Sequence, residues 1–133
     1  MKILPLALAA LALTTGAAAA ETVTVTLTGV RATPGPIKAS LNTREQFLRA
    51  GPSYTAVAEP VAGGVTLTFE NVAPGDYALM VMHDLNGNDR FDYGTDGWAF
   101  SDSAVPMMGP PVFDERKFTV ANGPVTLTET MRY

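Results

Sequence analysis

Four short segments of the chain alternate apolar and polar residues with a period of two. They cover residues 22–28, 37–42, 65–69 and 125–130, and threonine supplies most of their polar positions. Because successive side chains of a β-strand point to opposite faces, this pattern predicts strands with one buried and one solvated face. Threonine suits the solvated face, since its branched β-carbon fits the pleated surface.

A fifth segment, Tyr77 to Met82, is apolar on both faces and therefore predicts a central strand covered on each side. It follows Pro74-Gly75-Asp76, a turn sequence in which proline presets φ and glycine permits positive φ. Weaker strand patterns cover residues 54–59 and 117–120. Short strands separated by glycine and proline predict an all-β fold, an antiparallel β-sandwich of about seven strands with Greek-key connections.

The first twenty residues have the pattern of a secretory signal peptide. Met1 and Lys2 form a positive start, an apolar stretch follows, and Ala18 to Ala20 supply small residues for cleavage. The apolar stretch is shorter than the roughly 20 residues that a membrane span needs, and no later segment approaches that length. We therefore expect a signal peptide over 1–20, a single domain over 21–133, and a periplasmic or secreted protein without a transmembrane segment.

The composition excludes several classes of function. The chain has no cysteine, so disulfides, thiolate metal sites and cysteine nucleophiles are impossible. The net charge of −4 becomes more negative once Lys2 is removed with the signal peptide. This balance argues against nucleic acid and anionic membrane surfaces as partners, because those partners need clustered basic side chains.

An Asp/Asn-rich stretch, residues 84–96, follows the apolar strand and is called the Asp/Asn loop below. Oxygen-bearing side chains occupy its positions 1, 3, 5 and 9, which are Asp84, Asn86, Asn88 and Asp92. This spacing can direct several oxygens at one hard cation, and Ca²⁺ fits because it accepts six to eight oxygens in flexible geometry. Asp89 and Asp96 could complete such a calcium site.

The Asp/Asn loop differs from an EF-hand in two positions and in its surroundings. Asp89 stands where an EF-hand has glycine, Thr95 stands where it has glutamate, and the predicted flanking structure is strand. The calcium hypothesis is therefore a strand-flanked calcium loop. The alternative is a solvated turn, because Asn, Gly and Asp stabilise turns through local hydrogen bonds without a metal.

Aromatic residues are concentrated beside the Asp/Asn loop. Tyr93, Trp98 and Phe100, together with Phe91, could form a contact surface for a glycan or a peptide. The alternative is that these rings close one end of the core. We predict Tyr93, Trp98 and Phe100 as the binding surface.

The run FENVAPGDYALMVMHDLNGNDRFD, followed by GWAFSDSA and GPPVFDERKFTV, resembles the secreted bacterial family called domain of unknown function 2141. The family pattern is a Pro-Gly turn, a Tyr-Ala strand, His-Asp, an Asn-Gly loop ending in Asp, then Gly-Phe-Ser and Pro-x-Phe. The resemblance is strongest from Pro74 to Phe118 and implies no particular activity. The turn and strand are also similar to transthyretin-like sandwiches, so the expected fold is Ig-like or transthyretin-like.

These patterns together predict a secreted or periplasmic non-enzymatic module for protein or glycan interaction, stabilised by calcium. Two alternatives stay open at this point. A small hydrolase would use His83, the only histidine, with carboxylates of the Asp/Asn loop. A copper-handling protein would use methionine thioethers such as those of Met107 and Met108, since thioether and imidazole select Cu(I).

Overall fold

The computed structural model describes residues 19–133, and the predicted signal peptide lies outside the described residues except for its last two positions. Within these described residues, eight strands and one short helix follow one another: β1 (Glu21–Thr28), β2 (Ile37–Asn42), β3 (Tyr54–Ala58), β4 (Gly64–Val72), β5 (Gly75–His83), β6 (Gly97–Phe100), α1 (Phe113–Arg116), β7 (Lys117–Val120) and β8 (Val125–Thr130). Over residues 19–133, no helix is long and apolar enough to cross a membrane.

The strands form two sheets that pack face to face. One has three strands in the order β4-β1-β8; the other has five, with the order β3-β2-β5-β6 and β7 also paired with β5. The predicted all-β sandwich is confirmed. One pairing differs from the antiparallel expectation, because β1 and β8 run parallel with Val23 opposite Val125. The predicted central strand is β5, which pairs with β2 on one side and with β6 and β7 on the other.

The main core lies between the two sheets and follows the alternation of the sequence. Val23, Val25 and Leu27 of β1 have no exposed surface, and neither have Ile37 and Leu41 of β2. The threonines between the core residues of β1 are exposed or half-buried. Each fully buried aliphatic side chain stabilises the fold by about 1.5–3 kcal/mol, so this alternation fixes which face of each strand turns inward.

A second, smaller apolar cluster lies on the opposite, outer face of the five-stranded sheet. Its buried members are Phe47, Ala78, Phe100 and Phe113. Phe47 reaches the cluster from a turn in which its N–H donates to the carbonyl of Thr43 at 3.0 Å. The Phe47 ring meets the rings of Phe100 and Phe113 edge to face, at centroid distances of 6.2 and 5.7 Å. The segment around Phe47 and helix α1 therefore cover one end of this outer face.

Candidate functional site

The outer face of the five-stranded sheet carries two rows of side chains that run across the strands. Directly paired residues place Val57, Lys38, Met82 and Trp98 in the first row. The same pairings place Thr55, Ser40, Met80 and Phe100 in the second row. Paired residues lie about 4.5–5.5 Å apart on one face, so each row is a continuous strip of side chains.

A groove lies over these two rows. Its first lobe has a cavity volume of about 290 Å³ above the rows themselves, and Phe91 of the Asp/Asn loop borders it. A second lobe of about 750 Å³ shares Met80, Phe91, Trp98 and Phe100 with the first and extends toward Tyr93 and Met107. Clefts of about 300–1,000 Å³ with mainly apolar and aromatic walls are typical of small-molecule sites.

Few polar atoms line the first lobe. Its polar side chains are those of Lys38, Ser40 and Thr55. The Lys38 ammonium is paired with the carboxylate of Asp89, and the Ser40 hydroxyl accepts a hydrogen bond from the amide of Asn42 at 2.9 Å. The floor therefore presents mainly carbon and sulfur to a ligand.

The Asp/Asn loop forms one wall of the groove and is held by two buried carboxylates. Asp84 is 2% exposed, and its two oxygens accept the backbone N–H groups of Gly87 at 3.0 Å and of Asp89 at 2.9 Å. Asp96 is also 2% exposed and accepts the N–H groups of Leu85 at 2.9 Å and of Asp92 at 2.8 Å. Each carboxylate thus closes a turn of the loop, and together they fix the position of Phe91.

The exposed part of the loop is organised around Asp92. One oxygen of this carboxylate accepts hydrogen bonds from the side-chain amides of Asn86 at 2.8 Å and of Asn88 at 2.5 Å. These two hydrogen bonds, that of Asn86 first, lower the pKa of the Asp92 carboxyl because they stabilise its ionised form. The amide oxygens of Asn86 and Asn88 accept the backbone N–H groups of Asn88 and Arg90.

The six predicted calcium ligands are all in this loop, and the hydrogen bonds above occupy them in part. Within residues 19–133, no group of three or more His, Asp or Glu side chains is arranged to hold a metal ion. Asp89 turns outward to Lys38, with its carboxylate 78% exposed. Calcium binding by Asp84, Asn86, Asn88, Asp89, Asp92 and Asp96 stays a prediction, and the hydrogen bonds support the alternative of a metal-free turn.

The three aromatic residues of the predicted binding surface lie along the groove but differ in their contacts. Trp98 and Phe100 lie on β6 and form its floor, with their ring centroids 5.8 Å apart. Tyr93 is on the loop, is 83% exposed and borders only the second lobe. Sequence reasoning missed Met80 and Met82 as groove residues, although their spacing of two on β5 places both on one face.

His83 lies on the inner side of β5, away from the groove. Its side chain has no exposed surface, and both ring nitrogens are occupied, Nδ1 by the hydroxyl of Tyr133 at 2.7 Å and Nε2 by the carbonyl of Thr33 at 2.9 Å. Because a carbonyl only accepts, Nε2 carries a proton and donates it to Thr33. The Tyr133 ring packs over Gly97, where a β-carbon would lie 2.4 Å from a ring atom.

Comparison with known proteins gives a family but no relative of established role. None of the curated proteins and none of the solved structures compared with this chain matches it. A family model described as "Uncharacterized protein conserved in bacteria (DUF2141)" matches residues 25–128, which run from β1 into β8. The match covers well over half of the chain, so the protein belongs to this bacterial family.

Proposed function

We propose that this protein is an exported, non-enzymatic binding module that holds the apolar part of a ligand in the groove of the five-stranded sheet. The observation that carries the proposal is that Met80, Met82 and Trp98 lie outside the main core and keep part of their surface exposed beside the second cluster. Contiguous apolar surface that the core does not use is typical of binding sites.

The scarcity of polar groups favours an apolar ligand over a glycan. A sugar needs several hydrogen-bonding partners, because burying its hydroxyls without them costs free energy. The first lobe has only three polar side chains, and two of them, Lys38 and Ser40, already have a partner in Asp89 and in Asn42. Methionine side chains add adaptable packing around an apolar group.

The two alternatives from the sequence gain no support from the geometry. A general base must reach its substrate within hydrogen-bonding distance, whereas His83 is buried with both nitrogens engaged. For copper, Met80 and Met82 lie on the opposite side of β5 from this imidazole. Met108 is 95% exposed, and the sulfur of Met107 lies 4.0 Å from the guanidinium of Arg116.

The test is binding of the neutral fluorescent apolar probe N-phenyl-1-naphthylamine to the purified protein and to a variant with a charged groove floor. We expect saturable binding that Met82→Glu weakens about tenfold, because the charge loses hydration when the probe covers it. Thr68→Glu is the matched control, since Thr68 is exposed on the other sheet. Equal binding by the wild type and Met82→Glu, with circular dichroism confirming the fold of each, would exclude the groove as the site.

Export is a part of the proposal that rests on the sequence of residues 1–20 alone. Cleavage after Ala20 would release a chain that starts at Glu21, the first residue of β1. The intact mass of the protein recovered from the cell envelope or the medium tests this point. A mass that still includes the first twenty residues would contradict it.

Calcium enters the proposal as a stabiliser of the groove wall. The hypothesis predicts that millimolar calcium raises the Tm of the protein relative to excess EDTA, since a ligand that binds only the native state stabilises it. Asp92→Asn is the informative variant, because Asp92 is partly exposed while Asp84 holds two backbone amides. A rise that Asp92→Asn cancels would establish the site, whereas equal Tm values would leave the loop as a hydrogen-bonded turn.

A further inference from the structure

Two arginines lie where the groove passes Trp98. Arg132 extends the first row, because its backbone exchanges two hydrogen bonds of 2.8 Å with that of Trp98. Directly opposed residues of an antiparallel pair project to the same face, which places the Arg132 side chain on the groove side. Arg132 is exposed and borders the second lobe.

The second arginine, Arg116, is buried at the end of α1. It is 2% exposed, and its guanidinium donates to the carbonyl of Asp102 at 2.7 Å and to that of Val105 at 3.1 Å. Its Nε is buried and has no hydrogen-bond partner among the described residues. A buried donor without a partner is rare, because it loses hydration without compensation.

Neither arginine has a carboxylate within 4.0 Å in the described part of the chain, where all ion pairs involve other basic residues. Glu129 is buried close to the segment whose carbonyls accept from the two arginines. Its two oxygens, however, accept the backbone N–H groups of Asp102 and Ser103. The Arg132 guanidinium has only the carbonyl of Ser103, at 3.3 Å. This end of the groove therefore carries positive charge that no direct ion pair neutralises.

A small cavity is lined by both arginines and has lining residues in common with the groove. Its volume is about 10 Å³, Arg116 and Arg132 both line it, and it shares Trp98 and Met107 with the second lobe. A cavity of this size has room for about one water or one ligand oxygen. The unpartnered Nε and the cavity are independent signs that this end of the groove receives an acceptor.

We infer that the groove binds a single-chain aliphatic carboxylate, with its anionic head at Arg132 and Arg116 and its alkyl chain over Trp98, Met80 and Met82. The inference rests on the proposed function and names the ligand class for the same site. The exposed guanidinium of Arg132 can present N–H groups to both carboxylate oxygens, and the unpartnered Nε of Arg116 can donate to one of them. A floor of two side-chain rows is narrow, which suits one alkyl chain.

The fluorescence of Trp98 tests the inference directly, because this is the only tryptophan of the chain and it lies between the apolar floor and the arginines. The purified protein is titrated with dodecanoate, with dodecanol and with dodecyltrimethylammonium, each below its micellar concentration. These three probes share the alkyl chain and differ in the charge of the head. We expect dodecanoate to bind most tightly and the cation most weakly.

Variants then separate the head contact from the chain contact. Arg132→Gln should weaken dodecanoate binding about threefold to fivefold, the size of an exposed charge interaction, and leave dodecanol unchanged. Lys117→Gln removes the same charge from exposed β7, outside the groove lining, and should change neither. Arg116→Lys keeps the charge but loses the planar donor set, so it should also weaken dodecanoate selectively.

The outcomes distinguish the two levels of the proposal. Equal affinity for all three probes, or no selective effect of Arg132→Gln, would overturn the carboxylate inference while leaving an apolar groove. Tighter binding of the cation would overturn it as well. No binding of any probe, with Met82→Glu indistinguishable from the wild type, would overturn the proposed function itself.

Discussion

The outer faces of the two sheets differ in composition, although their inner faces build one core. On the three-stranded sheet, Thr24 pairs with Thr68 and Thr126, so threonines stand side by side across the strands. On the outer face of the five-stranded sheet, by contrast, Met82 lies beside Trp98. One apolar face is enough to fold a sandwich, so the part of the second apolar face that stays exposed is the surface on which we propose that a ligand binds.

The outer face of the larger sheet has one end that other residues cover and one end that is exposed. Phe47 and Phe113 pack over Ala78 and Phe100 at one end, which makes that end a small core. At the other end, Val57 is 64% exposed and Phe91 is 48% exposed. Substitutions can therefore separate folding from binding along a single face, from the largest expected effect to the smallest.

Phe100→Ala should produce the largest loss of stability. Phe100 is 8% exposed and contributes to both the second cluster and the groove floor. Removing a buried phenyl ring leaves a cavity, and we expect a loss of about 3 kcal/mol in urea unfolding. Thr68→Ala on the solvated face should change stability by less than about 1 kcal/mol. Similar losses for the two variants would contradict the contrast between the faces.

The next largest loss of stability should come from Asp84→Ala. We expect its free energy of unfolding to fall by about 2 kcal/mol, because two backbone N–H groups in the groove wall lose their acceptor. Asp89→Ala is the comparison, since this exposed carboxylate pairs only with Lys38. We expect Asp89→Ala to change the free energy of unfolding by less than about 1 kcal/mol. If Asp89→Ala were the more destabilising of the two, the loop would not be held by its buried carboxylate.

Replacing apolar residues on the outer face of the larger sheet by threonine should affect ligand binding more than the free energy of unfolding. The double variant Val57→Thr/Met82→Thr places threonine at two positions of the first row, both outside the main core. We expect the free energy of unfolding to stay within about 1 kcal/mol of the wild type. Binding of the apolar probe should weaken, but by less than the roughly tenfold expected for Met82→Glu, because threonine is uncharged. A variant that keeps full binding would show that the first row is not the ligand floor.

The smallest expected effect is on how strongly the Tm falls at low pH. The folded-state pKa of Asp92 lies below its ordinary value because the amides of Asn86 and Asn88 donate to the ionised carboxylate. Such a group adds stability above its unfolded pKa of about 3.9, and this stability is lost as the pH falls through the folded value. A Tm series from pH 7 to pH 3 should therefore fall less below pH 4 for Asp92→Asn than for the wild type. Parallel Tm curves for the wild type and the variant would show that the Asp92 carboxylate makes no such contribution to stability.

The strands and the main core could be predicted because alternation is a local property. Residues 22–28 and 65–69 show it, and β1 and β4 are strands with alternating burial. Strand β6 was not predicted as a strand, because its four residues Gly97–Phe100 show no polar alternation. The parallel pairing of β1 with β8 depends on long-range packing, which no local pattern encodes.

The groove could be predicted only in part, because it depends on register. Tyr93, Trp98 and Phe100 were recognisable as an aromatic group, but only the pairing of β5 with β6 places Met82 beside Trp98. For the Asp/Asn loop, the sequence supplies oxygens without showing what they bind. The same aspartate spacing suits a cation or a set of backbone amides, and the turn geometry decides between them.

The parallel pairing of the first and last strands has a consequence for how the chain folds. Thr28 and Thr130 lie side by side although they are 102 positions apart in the sequence, so the three-stranded sheet closes only when the last strand arrives. Contacts of such separation slow folding, because closing so long a loop costs chain entropy before the contacts can stabilise the fold. Until then, β1 presents a free edge that can pair with another chain. Refolding yield should therefore fall as protein concentration rises, and dilution should restore it.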